Sequence, residues 1–317
     1  MIRMKPILVL TTAMFAALAC VAISGTALWA TNQGATVTGN PVPTAAQIRS
    51  LFVRVIENQH RNDQALQEYE RVERVITYTD ANAHIVSEHT DRVLFSGTGT
   101  MKIRISENGS PVSPQVLRDE MQEAVRALNL ALHPDEHFRQ DLAKYQRRRR
   151  ERAELLDEAM KAFRATWVGR ETRRDPYAPN GSRTLTKFLL DPDPNYTPNS
   201  RFGTVFQHVH AVIWVDENQE QIARAEGNIT SDISFFAGIA GKIYHGGHFV
   251  MEQSEVSPGV WLPTLYIYNV DGRKFLFGFG VHERTEISHY RRVGPPSQAI
   301  EILRKELNNL TAQSPAN

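Results

Sequence analysis

The chain has 317 residues, with 36 Lys plus Arg against 35 Asp plus Glu, 41% hydrophobic and 22% charged residues, and one cysteine. This composition excludes a disordered tail, a coiled coil, a disulfide scaffold and a chain that binds nucleic acid along its whole length. It is typical of a globular protein and names no reaction.

Residues 1–30 differ in composition from the rest of the chain. Arg3 and Lys5 precede a run from Pro6 to Ala30 that contains no charged residue. A basic start followed by an apolar run is typical of an export signal, and a run of this length also suffices to cross a bilayer. We therefore predict a signal peptide or an N-terminal membrane anchor, with lipidation at Cys20 as a third alternative. In each case the folded part lies outside the cytoplasm, in the periplasm or at the periplasmic face of the inner membrane.

Residues 31–43 are rich in Gly, Pro, Thr and Asn, which predicts a linker. The next segment, Thr44-Ala45-Ala46-Gln47, has the pattern of a helix capping box. Apolar residues then recur at helical spacing, so the sequence predicts an amphipathic helix after Thr44.

Three segments with strand character follow: 68–79, 83–95 and 100–106. They are rich in β-branched residues or alternate apolar with charged ones, and only short loops separate them. We expect antiparallel neighbours, with Asn108-Gly109 as a turn after the third strand.

A helical insertion at about 110–170 interrupts the predicted sheet. Ser113 and Pro114 mark the start of its first helix, and a second helix is predicted from about Asp135 to Val168. Residues 139–174 contain 12 basic and 6 acidic residues, a net charge of +6. Within them, Arg147, Arg148, Arg149 and Arg150 are candidates for contact with a membrane or a partner protein. The alternative is a solvated helix face whose arginines pair with neighbouring carboxylates.

Strand character then resumes and continues to Tyr290. The predicted strands are 184–190, 204–215, 221–230, 241–256, 261–269 and 273–289. Asp216-Glu217-Asn218 and Asp271-Gly272 are predicted hairpin turns. A last helix starts at Pro295-Pro296-Ser297, and residues 313–317 form a tail. The predicted fold class is α+β, with one domain over 44–312: a strongly curved antiparallel sheet, an incomplete β-barrel, covered by N-terminal, inserted and C-terminal helices.

No catalytic motif is present in the sequence: it has no Gly-rich phosphate loop, no His-Glu-x-x-His and no Gly-x-Ser-x-Gly. We therefore predict a protein that is not an enzyme and has no cofactor or metal. His208 and His210 point the same way on a predicted strand, with His245 and His248 in the following segment. His282 and His289 lie on the last predicted strand. Two or three of these histidines, with Asp216 or Glu252, could hold a zinc ion, so a metal-dependent hydrolase stays a lesser alternative.

The predicted sheet carries apolar residues on both faces. A candidate face for an apolar ligand comprises Phe206, Val212, Trp214, Phe275, Phe277 and Phe279. A sheet that is apolar on both faces is either covered on both or leaves an apolar concavity for a ligand. The alternative is a core filled by the protein's own helices.

Several motifs carry a resemblance to a known family. They are Asp191–Pro198, Ala211–Asp216, Ala223–Gly227, Gly241–Gly247, Glu252–Val256 and Gly259–Pro263. In these segments, over most of Thr44 to Arg292, the chain resembles exported bacterial proteins of the outer-membrane lipoprotein-sorting, LolA/LolB-like type. The resemblance implies a half β-barrel closed by helices, whose apolar interior binds acyl chains in the characterised carriers.

The sequence as a whole predicts an exported cell-envelope protein that binds a lipid or another apolar ligand, with a role in lipid or lipoprotein sorting as one form of that function. Its expected partners are a lipid or acyl chain and envelope proteins, with no nucleic acid. Residues 6–30 would contact the membrane if they are not cleaved. The alternative is a structural or protein-interaction module with a filled core.

Overall fold

A computed structural model gives the fold. It describes residues 42–79, 84–200, 202–235, 241–275 and 277–312. The predicted signal peptide or anchor at 1–30, most of the predicted linker at 31–43 and the tail at 313–317 lie outside these residues.

The helices and strands are numbered in chain order over the described residues. The helices are α1 (Ala45–Ala65), α2 (Pro114–Leu132), α3 (Glu136–Ala162) and α4 (Pro296–Ala312). The strands are β1 (Tyr69–Tyr78), β2 (Ile85–Phe95), β3 (Thr100–Glu107), β4 (Ser110–Pro111), β5 (Phe163–Arg174), β6 (Ser182–Pro192), β7 (Val209–Asp216), β8 (Gln221–Ile229), β9 (Ile233–Phe235), β10 (Gly241–Ile243), β11 (His248–Ser257), β12 (Val260–Lys274) and β13 (Phe277–Arg292). Short 3₁₀ helices lie at Leu66–Glu68 and Gly203–His208.

The 13 strands belong to one antiparallel sheet, and within the described residues the sheet is open, because its strand order ends at β4 on one side and at β5 on the other. The predicted α+β class with an antiparallel sheet that does not close into a barrel is therefore confirmed. Contacts between Cα atoms divide the chain into two compact units. The first comprises the described residues of Met1–Gln59, Leu155–Val250 and Val270–Phe279, and the second those of His60–Glu154, Met251–Asn269 and Gly280–Asn317.

In the first unit, β8, β7, β6 and β5 are neighbours in that order. Strand β7 is buried along almost its whole length, with Val209 and Val212 fully buried although they point to opposite faces. Phe188 on β6 is also buried, and its ring meets that of Phe52 on α1 edge to face, 5.3 Å between centroids. The core of this unit therefore lies around β6 and β7, and α1 contributes to it.

In the second unit, β4, β3, β2, β1 and β13 are neighbours in that order. One face of β2 and β3 packs against α2 and α4. The buried cluster between them comprises Leu94, Ile103, Met121, Ala124, Leu128, Val293, Ala299, Ile300 and Leu303. The apolar stripes that the sequence places on the inserted and last helices thus pack together on the sheet.

Local capping explains where two helices begin. The Gln47 side chain accepts a hydrogen bond from the Thr44 backbone N–H at 2.8 Å, and the Thr44 hydroxyl accepts one from the Gln47 N–H at 3.3 Å. The Ser113 hydroxyl likewise accepts from the Val116 N–H at 3.3 Å, at the start of α2. Both predicted helix starts are confirmed.

Three predicted boundaries are wrong. Helix α3 ends at Ala162 and does not continue to Val168, because the chain from Phe163 pairs with β6 as strand β5. The first part of the strand predicted over 204–215 is the 3₁₀ helix Gly203–His208. The segment 241–256 forms two strands, β10 and β11, with a turn between them in which Gly246 has φ +84°.

The hairpin turn predicted at Asp271-Gly272 is also wrong, because both residues lie inside β12. Gly272 pairs with Ile243 of β10, and a Cβ atom added to Gly272 would lie 2.5 Å from the Lys242 carbonyl oxygen and 2.7 Å from the Phe279 ring. The glycine therefore allows close packing, and the chain turns after Lys274.

Candidate ligand site

The candidate site is an open groove of about 350 Å³ in the second unit, called the cavity below. Strand β3 and helices α2 and α4 form its walls, and β2 contributes one side chain. The lining residues are Arg92, Ile103, Ile105, Leu117, Met121, Glu306, Asn309 and Leu310. Five of these eight side chains are apolar and form the wall of the cavity. The other three, Arg92, Glu306 and Asn309, form its polar end.

The apolar wall follows from two periodicities in the sequence. On β3, Ile103 and Ile105 alternate with charged residues, so both point to the helix-covered face. On α2, Leu117 and Met121 are four residues apart and share one side of the helix. Leu128, further along α2, is fully buried, whereas Leu117 is only half-buried. The cavity therefore lies at the start of α2, where packing is less complete.

Four charged side chains form a closed ring at the polar end: Glu70, Arg92, Arg291 and Glu306. Arg92 donates to Glu70 through Nε at 2.8 Å and Nη2 at 2.6 Å, and to Glu306 through Nη1 at 2.5 Å. Arg291 donates to Glu70 through Nε at 2.5 Å and to Glu306 through Nη2 at 3.0 Å. Each carboxylate thus accepts from both guanidinium groups.

The ring has no net formal charge, since it holds two arginines and two glutamates. Burial acts to raise the pKa of Glu306, but the hydrogen bonds from Arg92 and Arg291 outweigh it, and the pKa is lowered. Hydrogen bonding to Glu70 raises the pKa of Arg291. Glu306 therefore stays ionised near neutral pH, and Arg291 stays protonated. A charged ligand group would have to displace a carboxylate from an arginine, whereas an uncharged polar group could be accepted beside the ring and Asn309.

None of the six residues predicted as an apolar-ligand face lines this cavity. Val212 and Trp214 lie on β7, are 0% and 4% exposed, and pack with Leu185 and Ala223. Three cations stand over the Trp214 indole. They are Arg173, Lys187 and Arg224, whose charged groups lie 5.1, 5.0 and 5.7 Å from the ring centroid. Protein side chains therefore cover this part of the predicted face.

The four predicted phenylalanines occupy different environments in the first unit. Phe206 lies in the 3₁₀ helix, is fully buried, and its ring contacts those of Phe163 and Tyr196. Phe275 and Phe277 are exposed at the turn between β12 and β13, and Phe279 is half-buried. The structure does not bring these residues together into one concave surface.

The basic run lies on α3. Arg147, Arg149 and Arg150 are exposed and Arg148 is half-buried. Arg147 makes one intrahelical ion pair, at 3.8 Å to Glu151 four residues later. Such an exposed pair contributes at most about 1 kcal/mol, so the run is available for other interactions.

The histidines considered for a zinc site have separate hydrogen-bond partners. His208 Nδ1 lies 2.7 Å from Ser231 Oγ, His210 Nδ1 lies 2.8 Å from an Asp191 carboxylate oxygen, and His245 Nδ1 lies 2.9 Å from an Asp232 carboxylate oxygen. His248 Nδ1 lies 2.7 Å from Asn228 Oδ1. In the described ranges, no three His, Cys, Asp or Glu side chains are grouped so that they could hold a metal ion.

The described helices include none that is both long and apolar enough to cross a membrane. The segment 1–30, for which the sequence predicts export or anchoring, is not among the described residues.

Alternation on β3 and helical spacing on α2 are enough to mark their apolar residues as packing positions. They did not identify the cavity, because periodicity shows which face of a helix is buried and not where packing is incomplete. Arg92 and Glu306 were not singled out. They are far apart in the sequence, and only the docking of α4 beside β2 brings them together.

Comparisons with solved structures find three weak likenesses. The first is a domain assigned to outer-membrane lipoprotein sorting from Vibrio parahaemolyticus, with TM-score 0.27 and 8% identity over 76% of this chain and 92% of that chain. The second is a DUF1329 family protein from Desulfovibrio piger, with TM-score 0.27 and 10% identity over 76% and 92%. The third is a LolA superfamily protein from Nitrosomonas europaea, with TM-score 0.25 and 10% identity over 78% and 96%.

These structures include proteins of the type that the sequence motifs resemble. No protein-family model matches the sequence, and no curated protein matches it. Similarities at these TM-scores and identities do not indicate a function for this chain, and only the site itself can indicate one.

Proposed function

We propose that this chain is an exported cell-envelope protein that binds an amphiphilic, lipid-like ligand in the cavity between β3, α2 and α4. The observation that supports this proposal is the lining: five apolar side chains along the wall and a charge-neutral ionic ring at one end. Small-molecule sites are commonly apolar concavities of about 300–1,000 Å³ with a few polar groups. The proposed role is binding, without a catalytic step.

The ring also defines the class of ligand. Both guanidinium groups are already paired with carboxylates, so the site favours an apolar chain with an uncharged polar end, such as an acyl ester or a monoacylglycerol. Export to the periplasm rests on the basic and apolar composition of residues 1–30. Sorting of lipids or lipoproteins is one process that such a binder could serve.

The test uses two tryptophan substitutions at neighbouring positions of α2. Leu117→Trp adds bulk inside the cavity, whereas Val116→Trp adds it on an exposed position of the same helix turn. Binding of the uncharged probe 1-N-phenylnaphthylamine to the purified protein is followed by fluorescence, with monoacylglycerol and the corresponding fatty acid as competitors. We expect about tenfold weaker binding for L117W, no change for V116W and stronger competition by the uncharged lipid.

Equal probe binding by the two variants would show that the cavity is not the binding site. Stronger competition by the fatty acid would contradict the role assigned to the ionic ring. Thermal unfolding of both variants serves as the control for folding.

One observation supports a second candidate, a protein-interaction module. The predicted ligand face on β7 is buried by the protein's own side chains, and Arg147, Arg149 and Arg150 form an exposed basic surface with the half-buried Arg148. Replacing Arg147 to Arg150 with Ser should then change the envelope proteins that crosslink to the chain. An unchanged set of partners would count against this candidate.

A further inference from the structure

The turn between β12 and β13, in the first unit, presents two large aromatic side chains to solvent. Phe277 is 79% exposed and Phe275 is 55% exposed. Phe275 also has φ +54°, a left-handed conformation that is unfavourable for a bulky residue. Thus the turn keeps two phenylalanines in water and one of them in a strained backbone conformation.

Phe279 and Phe275, one on each side of the turn, contact residues at the end of β12. The Phe279 ring lies over Gly272, where any Cβ atom would approach the ring to 2.7 Å. The Arg273 guanidinium donates a hydrogen bond to the Phe275 carbonyl oxygen at 3.1 Å. On the neighbouring strand, β10, Lys242 pairs with Arg273 in the ladder. The residues on both sides of the turn therefore contact Gly272 and Arg273 of β12.

The two residues before Phe275 are basic, which favours contact with a negatively charged partner surface. Lys274 directly precedes Phe275, and Arg273 is next to it in sequence. Exposed aromatic side chains beside basic ones suit the interface of a membrane that contains anionic lipids, where rings reach the acyl boundary and cations stay at the phosphates.

The predicted linker that follows the apolar run connects to the first unit. The apolar run ends at Ala30, and α1 begins at Ala45 in the first unit. A linker of this length spans at most about 50 Å when fully extended. If the apolar run stays in the bilayer, this unit is held within that distance of the membrane surface.

We propose that the turn at Phe275 and Phe277 is a membrane-contact site that inserts its two phenylalanine rings into the interfacial region of a bilayer containing anionic phospholipid. Lys274 contacts the lipid phosphates, and the bilayer removes the two rings from water. The contact would place the first unit at the membrane surface, independently of the cavity in the second unit.

The test measures the depth of the turn in vesicles with the full chain. Phe277→Trp introduces a reporter at the turn. Tyr177→Trp introduces a matched reporter at another partly exposed aromatic position, 40% exposed, in the same unit. Both variants are bound to vesicles of phosphatidylcholine and phosphatidylglycerol with brominated acyl chains. The wild-type signal is subtracted to remove the four native tryptophans. Attachment through residues 6–30 is the same in both variants, so only reporter depth differs.

We expect the added fluorescence of F277W to be blue-shifted and quenched by the brominated lipid, and that of Y177W to be unchanged. Adding Phe275→Ser to F277W should leave the unfolding temperature unchanged and reduce the quenching of the added tryptophan at least about twofold, because one of the two inserted rings is lost. Unquenched F277W fluorescence in vesicle-bound protein would overturn the proposal. A blue shift that appears without vesicles and grows with protein concentration would also overturn the proposal. It would indicate that a second copy of the chain, and not a bilayer, covers the two rings.

Discussion

A buried carboxylate in the first unit organises the loop that leads to the 3₁₀ helix Gly203–His208. Glu158, near the end of α3, is 5% exposed. One of its oxygens accepts hydrogen bonds from the Tyr196 hydroxyl at 2.5 Å, the Asn199 N–H at 2.7 Å and the Ser200 N–H at 3.2 Å. Burial acts to raise the pKa of Glu158, but these hydrogen bonds outweigh it and the pKa is lowered. Burial and the hydrogen bond to Glu158 raise the pKa of Tyr196.

Replacing Glu158 with Gln keeps the shape and one acceptor oxygen but removes the charge. Hydrogen bonds to a charged acceptor are roughly twice as strong as neutral ones, so three of them lose about 2 kcal/mol of unfolding free energy in total. For a chain of 317 residues that corresponds to a decrease of about 3 °C in Tm. Glu158→Ala should cost more, about 3–5 kcal/mol, because two backbone N–H groups and a hydroxyl lose their acceptor.

Urea unfolding of E158Q, with Glu154→Gln on an exposed position of α3 as the control, measures this difference directly. Because the pKa of Glu158 is lowered in the folded state, its contribution is fully present above the ordinary glutamate value of about 4.3 and decreases as the pH falls through the folded-state pKa. The stability difference between wild type and E158Q should therefore narrow below about pH 4. Equal stabilities of E158Q and E154Q at pH 7 would refute the assigned role.

Three further predictions concern other parts of the chain. Thr44→Ala should destabilise α1 by about 1 kcal/mol and accelerate amide exchange in its first turn, whereas an unchanged exchange rate would contradict the capping box. Lys187→Met retains the alkyl stem over Trp214 and removes the charge, so a loss of about 0.5–1 kcal/mol is expected in urea unfolding, and no loss would argue against the cation–π contact. Arg92→Met leaves Glu70 with one fewer partner and should cost about 3 kcal/mol, much of which the added Glu70→Gln should restore. If the double variant Arg92→Met, Glu70→Gln were less stable than Arg92→Met alone, the result would contradict the pairing assigned to the ionic ring.

The sequence predicted the elements whose pattern is local. The capping box at Thr44 and the Ser113-Pro114 start of α2 depend on residues within one turn, and both helices begin where expected. The Asn108-Gly109 turn also has both residues at positive φ, as a tight hairpin requires. These features are decided by neighbouring residues, so a single sequence is sufficient to identify them.

Features that depend on distant strands were not predictable in the same way. The segment 163–168 continues a helical pattern, but pairing with β6 makes it a strand. Asp271-Gly272 has the composition of a turn, but β10 approaches Gly272 closely and the chain turns later. The position of the cavity likewise depends on how α2 and α4 meet, which periodicity does not specify.

Native mass spectrometry of the protein purified from cells that export it is the most direct test of the central claim, that the cavity between β3, α2 and α4 binds an amphiphile. We expect a species carrying one additional mass in the range of a lipid, present in the wild type and in V116W and much reduced in L117W. A wild-type protein that is always empty and does not take up monoacylglycerol would contradict the account.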